Sequence, residues 1–286
     1  MKLPAPPNFD FDWTLGFLAA RVVPSLEALS DGEYRRSLRV NGRPVTLSIR
    51  FGGDGLTVLS SPKLPPGELR RQVTRMFDLD VDLAAFHAAA SGDPVLGGLV
   101  AARPWIRLPQ YLDPFEGTVR AILGQQVSLA AASTMVDRLV RTVGDQAPGP
   151  ASNNGLLVFP RPESVVDVGQ VGLLHLGYTR AKAASVLGLA LAVLDGTVDW
   201  DHLRSAPAAE AEAALDALPG IGPWTASYVR MRTLGDRDAF PAADLGVIKA
   251  FKARLPEITP KQIEERAESW RPWRAYATLH LWHSLG

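Results

Sequence analysis

The chain has 286 residues, of which 47% are hydrophobic and 21% are charged, as in soluble globular proteins with a large buried core. It contains no cysteine, which excludes a disulfide framework and any zinc or iron–sulfur site that needs cysteine ligands. Thirty basic and thirty acidic residues give zero net charge, which does not indicate a nucleic-acid binder and is compatible with an enzyme of small molecules.

The sequence carries no sign of a targeting or membrane segment. The first residues, MKLPAPPNFDFDW, lack the basic and then apolar pattern of a secretory signal. The longest apolar run, residues 186–194, is too short to cross a bilayer. We therefore expect a cytoplasmic protein without a membrane partner.

The N-terminal third combines helical and strand patterns. Residues 10–30 predict a helix that ends near Pro24. Hydrophobic residues then recur at every second position in three runs that predict half-buried strands, namely Leu38 and Val40, then Val45, Leu47, Ile49 and Phe51, then Leu56 and Val58. Asn41-Gly42 is the turn pair that a tight hairpin favours. Residues 65–79 are again helical, with one apolar face formed by Leu69, Val73, Met76 and Phe77. These patterns predict a small antiparallel α+β domain with a structural role.

The remainder of the chain is predicted to be mostly helical. Residues 112–144 show helical apolar spacing with a break at residues 124–128, and residues 144–155 predict a surface loop. A helical pair at 159–176 and a helix at 179–194 follow. The C-terminal segment mixes charges of both signs with aromatic residues, most of which we expect in the core: Trp270, Trp273, Tyr276, Trp282 and His283.

A glycine-rich turn interrupts two helical runs near residue 220. The Ala-rich run 208–218 stops at Pro219-Gly220-Ile221-Gly222, and a second helix begins at Pro223, a residue suited to the first helical position. Two glycines allow a sharp turn and a close backbone approach. The N-terminus of the second helix offers free N–H groups and a positive dipole end to a phosphate. The pattern predicts a helix-hairpin-helix that grips the DNA backbone without reading sequence, and an ordinary helix-to-helix turn is the alternative.

The residues after the hairpin carry a family resemblance. Trp224 and Tyr228 are four apart and share a helix face, and Asp244 follows Trp224 by twenty residues, in the loop FPAADLG before a helical stretch at 247–255. This arrangement resembles the helix-hairpin-helix base-excision DNA glycosylases, whose hairpin is followed by a Gly/Pro-rich loop and an aspartate. Within them the chain resembles the inducible 3-methyladenine DNA glycosylase II (AlkA-like) branch, from Asp12-Trp13 to Trp282.

The resemblance implies a domain organisation and partners. The fold is expected to be α+β: a small N-terminal antiparallel sheet domain with helices at residues 1–108, then a mostly α-helical, two-subdomain glycosylase core with the helix-hairpin-helix at residues 109–286. The expected partner is double-stranded DNA with alkylated bases, bound by a monomer. No cofactor is expected, apart from a structural monovalent cation at the hairpin.

The resemblance assigns catalysis to Asp244. Cleavage of an N-glycosidic bond in duplex DNA requires rotation of the nucleotide into a pocket. There, the anomeric carbon of the sugar gains positive charge as the base leaves. An ionised Asp244 could stabilise that cation or orient the attacking water, and the sequence leaves both roles open. Taken alone, an aspartate before a helix is more typical of an N-cap.

The aromatic residues near the hairpin are expected to form the base pocket. Trp224, Tyr228 and Trp282 match aromatic positions that line the pocket of the relatives. Electron-rich rings attract cationic alkylated purines by roughly 0.5–2 kcal/mol. Bifunctional relatives have a lysine two residues beyond the second glycine, where this chain has Trp224. Since an indole cannot form a Schiff base, the enzyme is predicted to be monofunctional and to use water.

Two further groups of residues are assigned by the resemblance. The DNA-binding hairpin is expected to comprise Gly220, Ile221, Gly222 and Thr225. The backbone carbonyls expected to hold the cation against a DNA phosphate are those of Asp216, Leu218 and Ile221.

The break at 124–128 matches the point where the family inserts a side chain into the DNA stack. The glycosylase II relatives carry an apolar wedge at the position of Gln126. This chain departs from them, so the wedge is predicted at Gln126 or at its neighbour Gln125. The alternative is that both glutamines face solvent at a helix junction.

Two other functions remain open from the sequence. One is a non-catalytic module that binds or scans DNA with the hairpin, against which Asp244 and the aromatic residues weigh. The other is a glycosylase for oxidised guanine, against which Trp224 in the lysine position weighs. The sequence does not rank 3-methyladenine, 7-methylguanine, hypoxanthine and 1-alkyladenine as substrates.

Overall fold

The structure, a computed structural model, describes residues 1–53, 55–149 and 155–286. An antiparallel sheet of five strands forms the N-terminal part, in the order β1-β5-β4-β3-β2. Its strands are β1 (Lys2–Pro4), β2 (Glu27–Ser30), β3 (Glu33–Val40), β4 (Arg43–Gly52) and β5 (Gly55–Ser61). Asn41 and Gly42 join β3 to β4 with positive φ angles of 50° and 75°, as a tight hairpin turn requires.

Helix α2 (Pro66–Phe77) covers one face of this sheet. The predicted apolar face of α2 is buried against the alternating strand residues, so the sheet and this helix form one core. The predicted strands, turn and helix are therefore confirmed, because residue alternation and turn chemistry are local properties of the chain. The predicted antiparallel α+β fold of this part is confirmed as well.

The prediction of one helix near Pro24 is wrong in its extent. Helix α1 (Phe11–Ala19) ends five residues before Pro24, and Glu27–Ser30 is the edge strand β2. Glu27 is buried there, where it accepts hydrogen bonds from the Tyr34 hydroxyl at 3.1 Å and from Arg36 Nη1 at 3.2 Å. These partners stabilise the strand, and they are invisible to a local helical pattern.

The remaining described elements are mostly helical. They are α3 (Ala84–Ala90), α4 (Leu96–Ala102), α5 (Pro114–Gly124), α6 (Leu129–Val143), α7 (Pro162–His175), α8 (Arg180–Leu194), α9 (Trp200–Ser205), α10 (Ala208–Asp216), α11 (Pro223–Val229), α12 (Leu245–Lys252), α13 (Pro260–Ala267) and α14 (Arg274–His283). A π-helical segment, Arg230–Leu234, continues α11, and a 3₁₀ turn, Glu268–Trp270, precedes α14. A kink at Gly169 divides α7, which confirms the predicted helical pair.

The predicted surface loop at 144–155 is wrong in part. Residues Asp145–Gln146 form the short strand β6, which pairs with β7 (Leu157–Val158). Residues 150–154 of the predicted loop lie outside the described residues. The pairing depends on partners eleven and thirteen residues away, so turn-forming residues alone do not reveal it.

The helices surround two hydrophobic cores. The first helical core is built by α5 to α11. The second joins α3 and α4 to α12, α13 and α14, and it includes Trp13 and Phe17 of α1. Trp270 and Tyr276 are buried in this second core, as predicted. Tyr228 packs against both cores, which places the second half of the helix-hairpin-helix at their junction.

A buried ion network ties the sheet to α5. Arg36 of β3 donates to Glu27 at 3.2 Å and to Glu116 of α5 at 2.5 Å, and Arg120 contacts both glutamates. Burial alone would raise the pKa of Glu116, but the two guanidiniums outweigh burial and hold this pKa below its usual value. The network fixes α5, and therefore the segment that follows it, relative to the N-terminal sheet. None of the helices in the described residues is long and apolar enough to cross a bilayer.

Candidate active site

A cavity of about 1130 Å³ opens between the two helical cores. Its walls include residues 124–128 between α5 and α6, which we call the wedge loop, and residues 222–225 at the start of α11. Residues 243–246 and Trp282 of α14 also line it, next to the start of α11. Sites for small ligands are typically ~300–1,000 Å³, so this cavity has room for a molecule of nucleotide size.

Asp244 lies on the cavity wall, as the N-cap of α12. Its Oδ1 accepts from the Val247 backbone N–H at 3.0 Å and from Trp282 Nε1 at 2.8 Å, and its Oδ2 accepts from Trp224 Nε1 at 3.0 Å. Gly246 permits this packing, because a Cβ there would lie 2.9 Å from Trp282 Cδ1 and 3.0 Å from Asp244 Oδ1. Asp244 is therefore an N-cap and also a carboxylate held toward the cavity by two indoles.

The three predicted pocket residues form a continuous aromatic wall. Trp224 stacks on Tyr228 with ring centroids 5.5 Å apart, and Tyr228 lies 6.1 Å from Trp282. All three line the cavity that Asp244 faces. The helical spacing of Trp224 and Tyr228 predicts their stacking, while the approach of Trp282 depends on the packing of α14 against α12.

The cavity floor contains residues that the sequence analysis missed. Arg21, Tyr111 and Arg120 line it, and they come from segments far apart in the chain. The Arg21 guanidinium lies 3.7 Å over the Phe17 ring and donates to the Phe17 carbonyl at 3.1 Å. Arg232 does not line the cavity, but its guanidinium lies 4.9 Å from the centre of the Tyr111 ring. No local pattern could have identified these residues, since only the tertiary structure brings them together.

The floor is electropositive. Burial lowers the pKa of Arg21, but an arginine stays charged near neutral pH. Within the described residues, neither Arg21 nor Arg232 forms an ion pair with a carboxylate, whereas Arg120 is neutralised by Glu27 and Glu116. Among the residues that line the site, Asp244 thus supplies a negative charge and Arg21 a positive charge that no carboxylate of the described residues neutralises.

The glycine geometry that the sequence suggested for the hairpin is present at Gly220, whereas Gly222 has an extended backbone that any residue can adopt. Gly220 has a φ of +77°, and a Cβ there would lie 1.9 Å from Ser185 Oγ of α8, so this position requires glycine. The Ile221 N–H donates to the Leu218 carbonyl at 3.0 Å, which closes the turn. Gly220 is exposed, while the Ile221 side chain is buried. The hairpin thus presents the exposed backbone of Gly220 to a partner, beside the exposed prolines Pro219 and Pro223.

Thr225 was expected to contact DNA from the hairpin, and Gln125 was the alternative wedge. Both side chains point into the protein. Thr225 is only 2% exposed. The side-chain amide of Gln125 donates to the Thr225 hydroxyl and to the Gly220 carbonyl, both at 2.8 Å. Thr225 is therefore placed to hold Gln125, and Gln125 points into the hairpin, away from the position of a wedge.

Gln126 has the exposure that a wedge needs. It is exposed on the cavity rim and has a positive φ of 56°, which is uncommon for a residue with a side chain. The geometry favours Gln126 over Gln125 as the wedge, and this assignment stays a prediction. Val127 and Leu129, which follow it, are apolar and exposed on the same rim.

The described residues offer no cluster of His, Cys, Asp or Glu that could hold a metal ion. The carbonyls of Asp216, Leu218 and Ile221 stay the predicted ligands of a monovalent cation. They lie at the end of α10 and in the hairpin turn, close together in the chain.

Comparison with known proteins places the chain among DNA repair enzymes. Residues 1–113 match the AlkA N-terminal domain, and residues 119–274 match the HhH-GPD superfamily base excision DNA repair protein family. DNA-3-methyladenine glycosylase 2 of Escherichia coli K12 is 37% identical over 284 residues, which cover 98% of this chain and 95% of that protein.

Two further similarities concern length and fold. The probable bifunctional transcriptional activator/DNA repair enzyme AlkA of Mycobacterium tuberculosis H37Rv is 37% identical over 298 residues, all of this chain but 57% of that protein. The chain thus spans just over half the length of this relative. The 3-methyladenine DNA-glycosylase structure from Archaeoglobus fulgidus has a TM-score of 0.85 at 24% identity, over 99% of this chain and 97% of that one. The chain belongs to the HhH-GPD superfamily of base excision DNA repair proteins, with an AlkA N-terminal domain before its helical core.

Proposed function

We propose that this protein is a monofunctional DNA glycosylase that rotates alkylated bases out of double-stranded DNA and hydrolyses their N-glycosidic bond. This reaction would initiate base excision repair. One observation carries the proposal: the Asp244 carboxylate faces a nucleotide-sized cavity and is oriented by the N–H groups of Trp224 and Trp282. An aspartate that served only as an N-cap would need neither indole.

The first step is extrusion of the damaged nucleotide, which costs a few kcal/mol of unstacking and unpairing. The exposed backbone of the hairpin is the expected phosphate contact, and Gln126 is the expected wedge at the cavity rim. Backbone amides bind phosphate without side-chain charge, so a chain with zero net charge is compatible with DNA binding. In the same hairpin, the carbonyls of Asp216, Leu218 and Ile221 would hold a monovalent cation.

The second step is departure of the base. Positive charge develops on the sugar, and the anionic Asp244 on the cavity wall stabilises it. The indole N–H groups hold the carboxylate in place before the reaction, so little reorganisation is needed when the charge forms. The electron-rich wall of Trp224, Tyr228 and Trp282 provides a stacking surface for the base.

Water is the expected nucleophile. No lysine is among the described residues that line the cavity, and Trp224 stands where an amine would be needed for a Schiff base. The sugar is therefore left as an intact abasic site. This argument separates the proposed activity from that of a bifunctional glycosylase for oxidised guanine.

The deciding experiment is the release of free bases from randomly methylated duplex DNA, measured by chromatography. We expect methylated purines in the supernatant with wild-type protein and a loss of at least ~10²-fold in rate with Asp244→Asn. Asp201→Asn is a matched control, because its side chain is 97% exposed and lies outside the cavity. DNA binding without release would instead support a non-catalytic DNA-binding module. The monomeric state and the cytoplasmic location stay predictions, and sedimentation would test the first.

A further inference from the structure

The wedge loop and the hairpin are joined by one side chain. Gln125, at the end of α5, donates from the same amide nitrogen to the Gly220 carbonyl and to the Thr225 hydroxyl, each at 2.8 Å. Ninety-five residues separate Gln125 from Gly220 in the chain. Gln126, the expected wedge, is the next residue after Gln125. The element that would grip the backbone is therefore linked to the element that would enter the stack.

Helix α8 supports both elements from behind. Lys182 donates to the Leu123 carbonyl at 2.6 Å, which binds the end of α5 to α8. Ser185, one turn further along α8, lies against Gly220 so closely that only glycine fits there. The end of α5 and the hairpin are thus both packed against α8. The two hydrogen bonds of Gln125 then join the end of α5 directly to the hairpin.

We infer that Gln125 is a positioning residue that couples the backbone grip of the hairpin to the placement of Gln126, an inference that rests on the proposed glycosylase function. The backbone at Gln126 has a φ of 56°, an uncommon conformation that surrounding contacts must maintain. The two hydrogen bonds of Gln125 are such contacts at the adjacent residue. With them, a hairpin bound to phosphate holds Gln126 at a set distance from the duplex. Without them, the loop moves independently of the grip, and displacement of about 1 Å in an active site can cost ~10²-fold in rate.

The test uses substitutions that remove the hydrogen bonds and keep the volume. Gln125→Met retains the length of the side chain and loses both donations, so we expect a roughly ten-fold lower single-turnover rate on a stably paired lesion. The rate on the same lesion in single-stranded or mismatched DNA should change little, because less extrusion is needed there. Fluorescence of a 2-aminopurine next to the lesion reports extrusion separately from bond cleavage. Thermal unfolding and binding to undamaged DNA should stay near wild type.

A second pair of variants tests the link from the other side. Thr225→Val keeps the shape and loses the hydroxyl acceptor, and Thr225→Ser keeps the hydroxyl. We expect a roughly three-fold slower extrusion with valine and wild-type extrusion with serine. If Gln125→Met fails to fold, this pair still decides the question. Equal effects of valine and serine would overturn the inference.

A double-mutant cycle excludes a merely structural role. If Gln125 acts through Gln126, then Gln125→Met should cost little more in a Gln126→Ala background, whereas independent effects would add. Additive losses, or equal losses on paired and mismatched lesions, would overturn the coupling. Failure of the proposed function is distinguishable, because wild-type protein would then release no base from any substrate. If the wild type releases bases but the effects of Gln125→Met and Gln126→Ala add, the inference about Gln125 is rejected and the proposed function stands.

Discussion

Asp244→Asn is the substitution that most directly tests the chemistry. Three N–H donors converge on this carboxylate, from Val247, Trp282 and Trp224. The asparagine oxygen can replace Oδ1 and keep the first two hydrogen bonds. Its NH₂ group then faces Trp224 Nε1, donor against donor. Since asparagine is as good an N-cap as aspartate, we expect α12 and the fold to remain intact while the charge is lost.

The size of the effect follows from the charge. A carboxylate about 4 Å from the sugar cation is worth about 4 kcal/mol at an effective dielectric constant near 20. That energy corresponds to ~10³-fold in rate. The two indole N–H groups already neutralise part of the negative charge of Asp244. The rate difference between the wild type and Asp244→Asn is therefore smaller than this energy suggests. We therefore expect a loss between ~10²- and ~10³-fold.

The assay is single-turnover release from a duplex that contains one alkylated purine. Trp224→Phe is the matched comparison, because it removes one hydrogen bond to Asp244 and keeps the charge and an aromatic ring. Since Trp224 helps to hold the carboxylate in place, we expect a smaller loss with this variant, roughly ten-fold, from displacement of the charge. Binding to abasic-site DNA should persist in both variants. Wild-type-like release by Asp244→Asn would refute the assignment of catalysis to this residue.

Four further predictions concern other parts of the molecule. Borohydride should trap no covalent protein–DNA adduct, because Trp224 occupies the lysine position; efficient trapping would reveal another lysine as the nucleophile. Gln126→Leu should speed release from stably paired lesions and matter little for mismatched ones; unchanged rates for Gln126→Leu and Gln126→Ala would show that Gln126 is not the wedge. Arg21→Met should raise the release rate of cationic 7-methylguanine relative to neutral hypoxanthine, because it removes a positive charge from the floor; an unchanged ratio would show that bases do not sense this charge. Burial raises the pKa of Asp78 from 3.8 to about 6, so the folded state binds this proton more tightly than the unfolded chain does. The free energy of unfolding therefore falls as the pH rises from 3.8 to about 6. Asp78→Asn should therefore be more stable than wild type at pH 8, by at most ~3 kcal/mol, and denaturant unfolding should show this gap closing toward pH 4.

Local patterns in the sequence determined most of the secondary structure. The alternation around Val45 and Ile49, the Asn41-Gly42 turn and the apolar face of α2 depend on neighbours a few residues away. The hairpin is local in the same sense, because Pro223 starts α11 and Gly220 turns the chain before it. Such features arise from backbone sterics and side-chain periodicity, which act over one or two turns of chain. They were therefore predictable.

The sequence also identified Asp244 and its three aromatic neighbours as a group, through spacing and family resemblance. It could not determine their geometry. The two indole N–H bonds to Asp244 depend on how α11, α12 and α14 pack, and these helices span residues 223–283. The N-cap role of Asp244 was equally consistent with the pattern, and the tertiary structure shows both roles in one residue.

Only the tertiary structure decided the floor of the cavity and the orientation of Gln125. Arg21 and Tyr111 reach the site from segments ninety residues apart, and Gln125 contacts a carbonyl ninety-five residues away. The edge strand β2 was missed because its stability comes from Glu27 with Arg36 and Arg120. Each case involves a polar group whose partner is distant in the chain. A buried polar group is stable only with its partner present, and the partner is chosen by packing of the whole chain, which no local pattern contains.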